Sequence, residues 1–173
     1  MNLPNQLTVI RMIAVPFFVV FYMKEWMLAA FILFIAASFT DLLDGKIARA
    51  RGLVTNFGKI MDPLADKILV YSALCLFIED DIIPAWALII ILAREFTVSG
   101  MRTVAASEGT VIAAGMSGKV KTVLQMIAVS VLILAGTYDV LMMPGMVIFW
   151  LSLAATVYSG VEYIVKNKSV FSM

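Results

Sequence analysis

The sequence contains no histidine and a single cysteine, Cys75. Without histidine it lacks the side chain that most often serves as a general base near neutral pH, and the commonest transition-metal ligand. One cysteine excludes an intrachain disulfide and any thiolate cluster. Cys75 lies in an apolar run, Ala73 to Ile78, and is expected to pack there. Charge is scarce too: 14% of the 173 residues are Asp, Glu, Lys or Arg, and 62% are hydrophobic. Soluble domains carry about 25% charged and about 45–50% apolar residues, so one soluble core cannot absorb the excess. A bilayer is the solvent this composition fits. The net charge of +1 singles out no partner, and nucleic acid is not expected as one. No cleaved leader is expected: the apolar stretch after Arg11 meets Lys24 and Glu25 with no small-x-small cleavage site.

Six stretches approach the roughly 20 apolar residues that a span requires: Leu7 to Met23, Met27 to Ala48, Gly58 to Ile78, Ile82 to Met101, Val120 to Gly136 and Met143 to Val165. No internal repeat or low-complexity tract interrupts them, and 1–173 is read as one membrane domain. With the N-terminus placed inside, twelve of the thirteen basic residues fall on the inner side and only Lys24 on the outer. The outer loops carry Glu79, Asp80, Asp81 and Asp139 instead. By the positive-inside rule both termini are cytoplasmic. The expected fold is therefore an all-α polytopic membrane protein with six transmembrane helices. Asn2 to Thr8, with Pro4, is expected along the inner surface before the first span enters. Trp26, Trp86 and Trp150 lie near span ends, as an interfacial belt requires. The twelve methionines and eleven phenylalanines are expected to pack helices and meet lipid.

What stands out against this apolar background is a group of aspartates. Asp41 and Asp44 lie at i, i+3 near the inner end of the second span, and Asp62 and Asp66 at i, i+4 near the inner start of the third. Each spacing places two carboxylates on one helical face. In antiparallel neighbours, Asp44 and Asp62 would lie roughly 6–9 Å inside the connecting loop and Asp41 and Asp66 roughly 12–14 Å, giving two matched levels. Four carboxylates cannot stay ionised together without positive charge nearby; Arg49 or Lys67 could supply part. An oxygen-only ligand set suits a hard cation, Mg²⁺ or Mn²⁺, and four shared carboxylates suit two divalent ions per site. Helix-end aspartates in the headgroup layer are the plainer reading, but intramembrane carboxylates mark function by default. Gly45 and Gly58 flank the aspartates, where a missing Cβ would let a phosphate or nucleotide approach the backbone.

The string runs Asp41-x-x-Asp44-Gly45-x-x-Ala48-Arg49, eight residues, then Gly58-x-x-x-Asp62-x-x-x-Asp66. It resembles the signature of the CDP-alcohol phosphotransferase family with every fixed position filled. It covers 26 residues, and the six-span layout agrees over the rest. Three further segments resemble one branch, the phosphatidylglycerophosphate synthases: Asn2-Leu3-Pro4-Asn5 with Thr8 and Arg11, Ala93 to Ser99, and Ser117 to Thr122 with Gln125.

The resemblance implies a reaction between CDP-diacylglycerol and sn-glycerol 3-phosphate that yields phosphatidylglycerophosphate and CMP. It implies a homodimer in a bacterial cytoplasmic membrane, with the site facing the cytoplasm. It makes Asp41, Asp44, Asp62 and Asp66 the metal ligands and Asp66 also the catalytic base. Gly45, Ala48, Arg49 and Gly58 become nucleotide contacts, with Arg49 able to meet a phosphate through two parallel donors. The phosphate of the acceptor needs its own cations: Arg94, Arg102, Lys119 and Lys121 are the candidates, with Thr8 and Arg11 weaker, and Glu95 beside Arg94 either orients it or pairs with it. Positive-inside anchoring competes with each of these roles. Two rivals remain. A sibling transferase would take serine, inositol phosphate or phosphatidylglycerol; the basic residues argue against serine. A divalent-cation transporter would place its carboxylates near the midplane, often in repeats.

Overall fold

The computed structural model describes residues 3–50, 56–109, 112 and 115–168; the side chains of 3–5, 41–63 and 66 lie outside that description. Among the described residues the regular structure is entirely helical. The α-helices are α1 Leu3–Met23, α2 Met27–Ala50, α3 Asn56–Glu79, α4 Ala85–Ser107, α5 Met116–Ala135 and α6 Met142–Lys166. A 3-10 turn, Asp139–Leu141, leads into α6. Helices are what an apolar chain of this kind must form, because lipid offers no partner to an open backbone N–H or C=O. Three stretches are long and apolar enough to cross a membrane: Gln6–Met23, Met116–Ala135 and Asp139–Lys166. Met27–Thr40 is a shorter apolar helix. The helices outside those three stretches, α2, α3 and α4, carry the aspartates and most of the cations of the candidate site.

Two element boundaries differ from expectation. The opening segment is not a separate surface piece: α1 starts at Leu3 and is continuous through Thr8 and Pro16. Pro4 is tolerated because the first-turn N–H it lacks has no intrahelical partner anyway. The fourth helix starts at Ala85 rather than Ile82, with Pro84 as its N-cap. The amides of Ile82 and Ile83 donate instead to the Phe77 carbonyl at 2.8 and 3.2 Å, closing the end of α3. It then runs past Met101 to Ser107, and Gly109, at φ +74°, turns the chain.

α1 packs on α2 and α3, α5 on α6 and α2, and α4 on α6 and α3. Phe18, Phe34, Phe77 and Phe149 are fully enclosed in the common core. Close approaches fix which ends lie together. Tyr22 Oη donates to Asp80 Oδ2 at 2.7 Å, joining the C-terminal ends of α1 and α3. Gly136, just past α5, meets Met27 at the start of α2. The middle of α4 comes together with the middle of α3, the N-terminal half of α5 and the C-terminal part of α6. The exterior is apolar, with Ile13, Phe17, Ile32, Ile89, Val147 and Val157 all exposed. Cys75, expected in packing, is exposed as well. Where lipid is the solvent, an apolar neighbourhood in sequence does not distinguish an inward from an outward position. Trp86, in the first turn of α4, and Trp150, in the N-terminal half of α6, lie tilted against each other with ring centroids 5.5 Å apart.

Candidate functional site

Asp41 and Asp44 lie on α2, and Asp62 and Asp66 on α3. The helical backbone through both pairs preserves the i, i+3 and i, i+4 spacings, so each pair shares one helical face. Their side chains, with those of Gly45, Ala48, Arg49 and Gly58, lie outside the described residues. As a donor set, four carboxylates carried on two neighbouring helices offer only oxygen, which fits a hard divalent cation.

One turn further along the bundle the side chains are described, and they form a cationic cluster around one carboxylate. Glu95, on α4, is buried. Its Oε2 accepts from Lys67 Nζ of α3 at 3.0 Å. Its Oε1 accepts from Arg94 Nη1 at 2.8 Å and from Lys121 Nζ of α5. Lys67 Nζ also donates to Ser99 Oγ, 3.3 Å away. Three cations thus surround one anion, leaving two positive charges uncompensated within the cluster. Lys121 is almost wholly enclosed, its side chain 4% exposed, whereas a third of Lys67 reaches solvent. Two enclosed cations beside a single carboxylate are costly to hold in an apolar bundle unless something anionic joins them.

Two glycines make room for Arg94. A Cβ on Gly160 of α6 would lie 2.8 Å from Arg94 Cγ, and one on Gly118 of α5 would lie 3.3 Å from Arg94 Nη2. The guanidinium is therefore threaded between α5 and α6 at positions where side chains are absent. Beside the cluster is a small cleft lined by Lys67, Val70, Tyr71, Glu95, Lys121 and Thr122, with Gln125 and Met126 a turn beyond on α5.

The sequence-derived acceptor group is brought together only in part. Arg94 and Lys121 meet through Glu95. Lys119 is exposed, and Arg102, also exposed, donates from Nε to the Ile112 carbonyl at 3.2 Å. Thr8 and Arg11 are both buried on α1. Glu95 does pair with Arg94, and with two lysines besides. Lys67, expected only as a counter-charge for the aspartates, faces Glu95 instead. Its sequence signal was weak, because a lysine at the inner end of a span reads as an anchor. Gly160 carried no signal at all, since its role is to leave space for a residue 66 positions away.

An all-helical chain with apolar spans, paired aspartates on adjacent helices and a cationic cleft beside them has the makings of a membrane enzyme that handles phosphate esters. A family model described as CDP-alcohol phosphatidyltransferase matches residues 1–158, and the chain belongs to that family. It is 44% identical to a CDP-diacylglycerol–glycerol-3-phosphate 3-phosphatidyltransferase of Bacillus subtilis, over 96% of this chain and 95% of the relative. It is 37% identical to the protein of the same name from Rickettsia felis, over 98% and 97%. It is 35% identical to CDP-diacylglycerol–glycerol-3-phosphate 3-phosphatidyltransferase 2 of Arabidopsis thaliana, over 95% and 79%.

Proposed function

We propose that this chain transfers the phosphatidyl group of CDP-diacylglycerol to sn-glycerol 3-phosphate, giving phosphatidylglycerophosphate and CMP. The observation that carries the acceptor assignment is the cluster of Lys67, Arg94 and Lys121 around Glu95, with two positive charges left over beside an open cleft. A phosphomonoester dianion matches that surplus. Inositol phosphate would match it equally; the names of the relatives, shared over nearly the full chain, favour glycerol 3-phosphate. Family membership leaves no support for the cation-transporter reading.

In the proposed reaction the terminal hydroxyl of the acceptor attacks the phosphorus that bears the diacylglycerol. The bond from that phosphorus to the bridging oxygen breaks, and the electron pair leaves on CMP. The hydroxyl proton passes to Asp66, the reasonable base in a chain without histidine. Asp41, Asp44, Asp62 and Asp66 would hold two divalent ions, Mg²⁺ or Mn²⁺, which when bound neutralise charge on the pyrophosphate during an in-line displacement. Gly45, Ala48, Arg49 and Gly58 are assigned to the nucleotide. Lys67, Arg94 and Lys121 hold the acceptor phosphate, so that proximity rather than further chemistry delivers the hydroxyl. Arg102, Lys119 and Thr8 remain candidates for the same anion on the sequence pattern alone.

Six spans with both termini in the cytoplasm, and a site open to the cytoplasm, follow from the distribution of basic residues. A bacterial cytoplasmic membrane and a homodimer complete the proposal, the latter on family resemblance alone. The test is steady-state CMP release by purified protein with Mg²⁺. Lys121→Gln and Lys67→Gln are each expected to raise KM for glycerol 3-phosphate tenfold or more, with KM for CDP-diacylglycerol little changed, the scale of one charge-assisted contact at about 1.5–3 kcal/mol. An unchanged acceptor KM in both variants would remove the phosphate from this cluster.

A further inference from the structure

The cleft contains one polar group that neither the cluster nor the packing uses. Gln125 is 4% exposed, yet it lines the cleft. Its Nε2 is enclosed and has no hydrogen-bond partner among the described residues. Buried amide donors are nearly always paired, because an unmade hydrogen bond in a dry site is costly. An amide held unpaired at the edge of an open cleft is therefore arranged for something that enters the cleft. Of the other residues lining the cleft, Val70 has no polar side-chain atom and Met126 only a thioether, a weak acceptor.

Gln125 stands one helical turn beyond Lys121 on the same face of α5, about 6 Å further along the axis. The lysine is in the cationic cluster; the amide is at the next level, toward the apolar interior of the bundle. A short phosphorylated polyol seated with its phosphate on Lys67, Arg94 and Lys121 places its next carbon near that level. In glycerol 3-phosphate this carbon bears the C2 hydroxyl, which takes no part in the transfer. The terminal hydroxyl is then free to turn toward the aspartates of α2 and α3.

We infer that Gln125 is a specificity-determining contact, donating from Nε2 to the C2 hydroxyl of the acceptor and so selecting a phosphorylated polyol over a plain phosphorylated alcohol. This rests on the assignment of the cleft to the acceptor. The residue touches no reacting atom; it discriminates, and it orients the chain that carries the nucleophile.

The experiment compares two acceptors that differ only at C2: sn-glycerol 3-phosphate and 3-hydroxypropyl phosphate. Purified full-length protein is supplied with CDP-diacylglycerol and Mg²⁺, and kcat/KM for CMP release is measured with each. The wild type is expected to favour glycerol 3-phosphate by about tenfold or more, the scale of one buried hydrogen bond. Gln125→Met, which keeps the volume and removes the amide, is expected to bring the ratio close to one, mainly by loss with glycerol 3-phosphate. Gln125→Leu, which removes both polar atoms of the amide, is expected to lower the ratio too, so that the effect does not hang on one replacement. A wild-type ratio near one, or a ratio that both variants leave unchanged, overturns the inference. So does equal loss of both acceptors in well-folded variants, the mark of a merely structural residue. Failure of the underlying cleft assignment looks different: the wild type then turns over no glycerol 3-phosphate, or does so with a KM indifferent to Lys121→Gln.

Discussion

Replacing Gly160 by alanine exchanges one hydrogen for a methyl group, yet it is expected to weaken acceptor binding from a helix that carries none of the three cations. The added Cβ would lie 2.8 Å from Arg94 Cγ. Ordinary carbon–carbon contact is about 3.5–4.0 Å, so the Arg94 stem must retreat by roughly 1 Å. It has little room, since its Nη2 already lies close to Gly118 and its Nη1 is tied to Glu95 at 2.8 Å. A shift of that size spoils one charge-assisted hydrogen bond to phosphate, worth about 1.5–3 kcal/mol, or roughly 10- to 100-fold in affinity. The fold itself is not expected to fail: alanine gains about 1 kcal/mol of helix propensity over glycine, against about 1–3 kcal/mol for overpacking. The assay is CMP release titrated with glycerol 3-phosphate at saturating CDP-diacylglycerol, with the thermal midpoint measured in the same detergent. The expected result is an acceptor KM at least tenfold higher, an unchanged lipid KM and a midpoint within a few degrees of wild type. An unchanged acceptor KM in folded protein would refute the claim that Gly160 sets the position of Arg94 in the phosphate site.

Other expectations follow from the same contacts. Glu95→Gln leaves Lys67, Arg94 and Lys121 without their shared anion. Stability is expected to drop by about 2 kcal/mol, less than the 3–5 of a fully enclosed pair because a third of Lys67 meets solvent; added glycerol 3-phosphate is expected to raise the midpoint of this variant more than that of wild type. Tyr22→Phe removes the 2.7 Å bond to Asp80 at the opposite end of the bundle; a loss of about 1 kcal/mol, seen as a fall of roughly 2–4 °C with both KM values unchanged, is expected. Chelation of divalent ions is expected to abolish CMP release and Mg²⁺ to restore it. Asp66→Asn is expected to lower kcat by about 10²–10⁴ even with Mg²⁺ present, the range of a lost general base.

The helices were legible because apolar runs and their breaks follow from lipid as solvent: Lys24-Glu25, the acidic loop 79–81 and the polar stretch after Ser107 each fall at an observed helix end. The start of α4 was misplaced by three residues because Ile82 and Ile83 are apolar yet spend their amides on Phe77. Thr8 belongs to α1 rather than to a surface segment: Pro4 and the polar residues around it do not interrupt the helix, since proline is at home in a first helical turn. Cys75 was placed inside because inward and outward faces are both apolar here. In the site, the aspartate spacing and the pair Arg94 and Lys121 could be found by eye. Lys67 could not, since its partner is Glu95, 28 positions later, and no local pattern encodes that meeting. The same holds for Gly160 and Gly118, which matter for the space they leave, and for Gln125, whose unpaired amide is visible only once burial is known.

The proposed function is that the cationic cleft receives glycerol 3-phosphate and the aspartate helices transfer a phosphatidyl group to it. It is tested most directly by supplying purified protein, CDP-diacylglycerol and Mg²⁺ with glycerol 3-phosphate, inositol phosphate or serine in separate reactions and measuring CMP. CMP is expected with glycerol 3-phosphate alone, together with phosphatidylglycerophosphate in equal amount. CMP with serine, or with inositol phosphate in place of glycerol 3-phosphate, would contradict it.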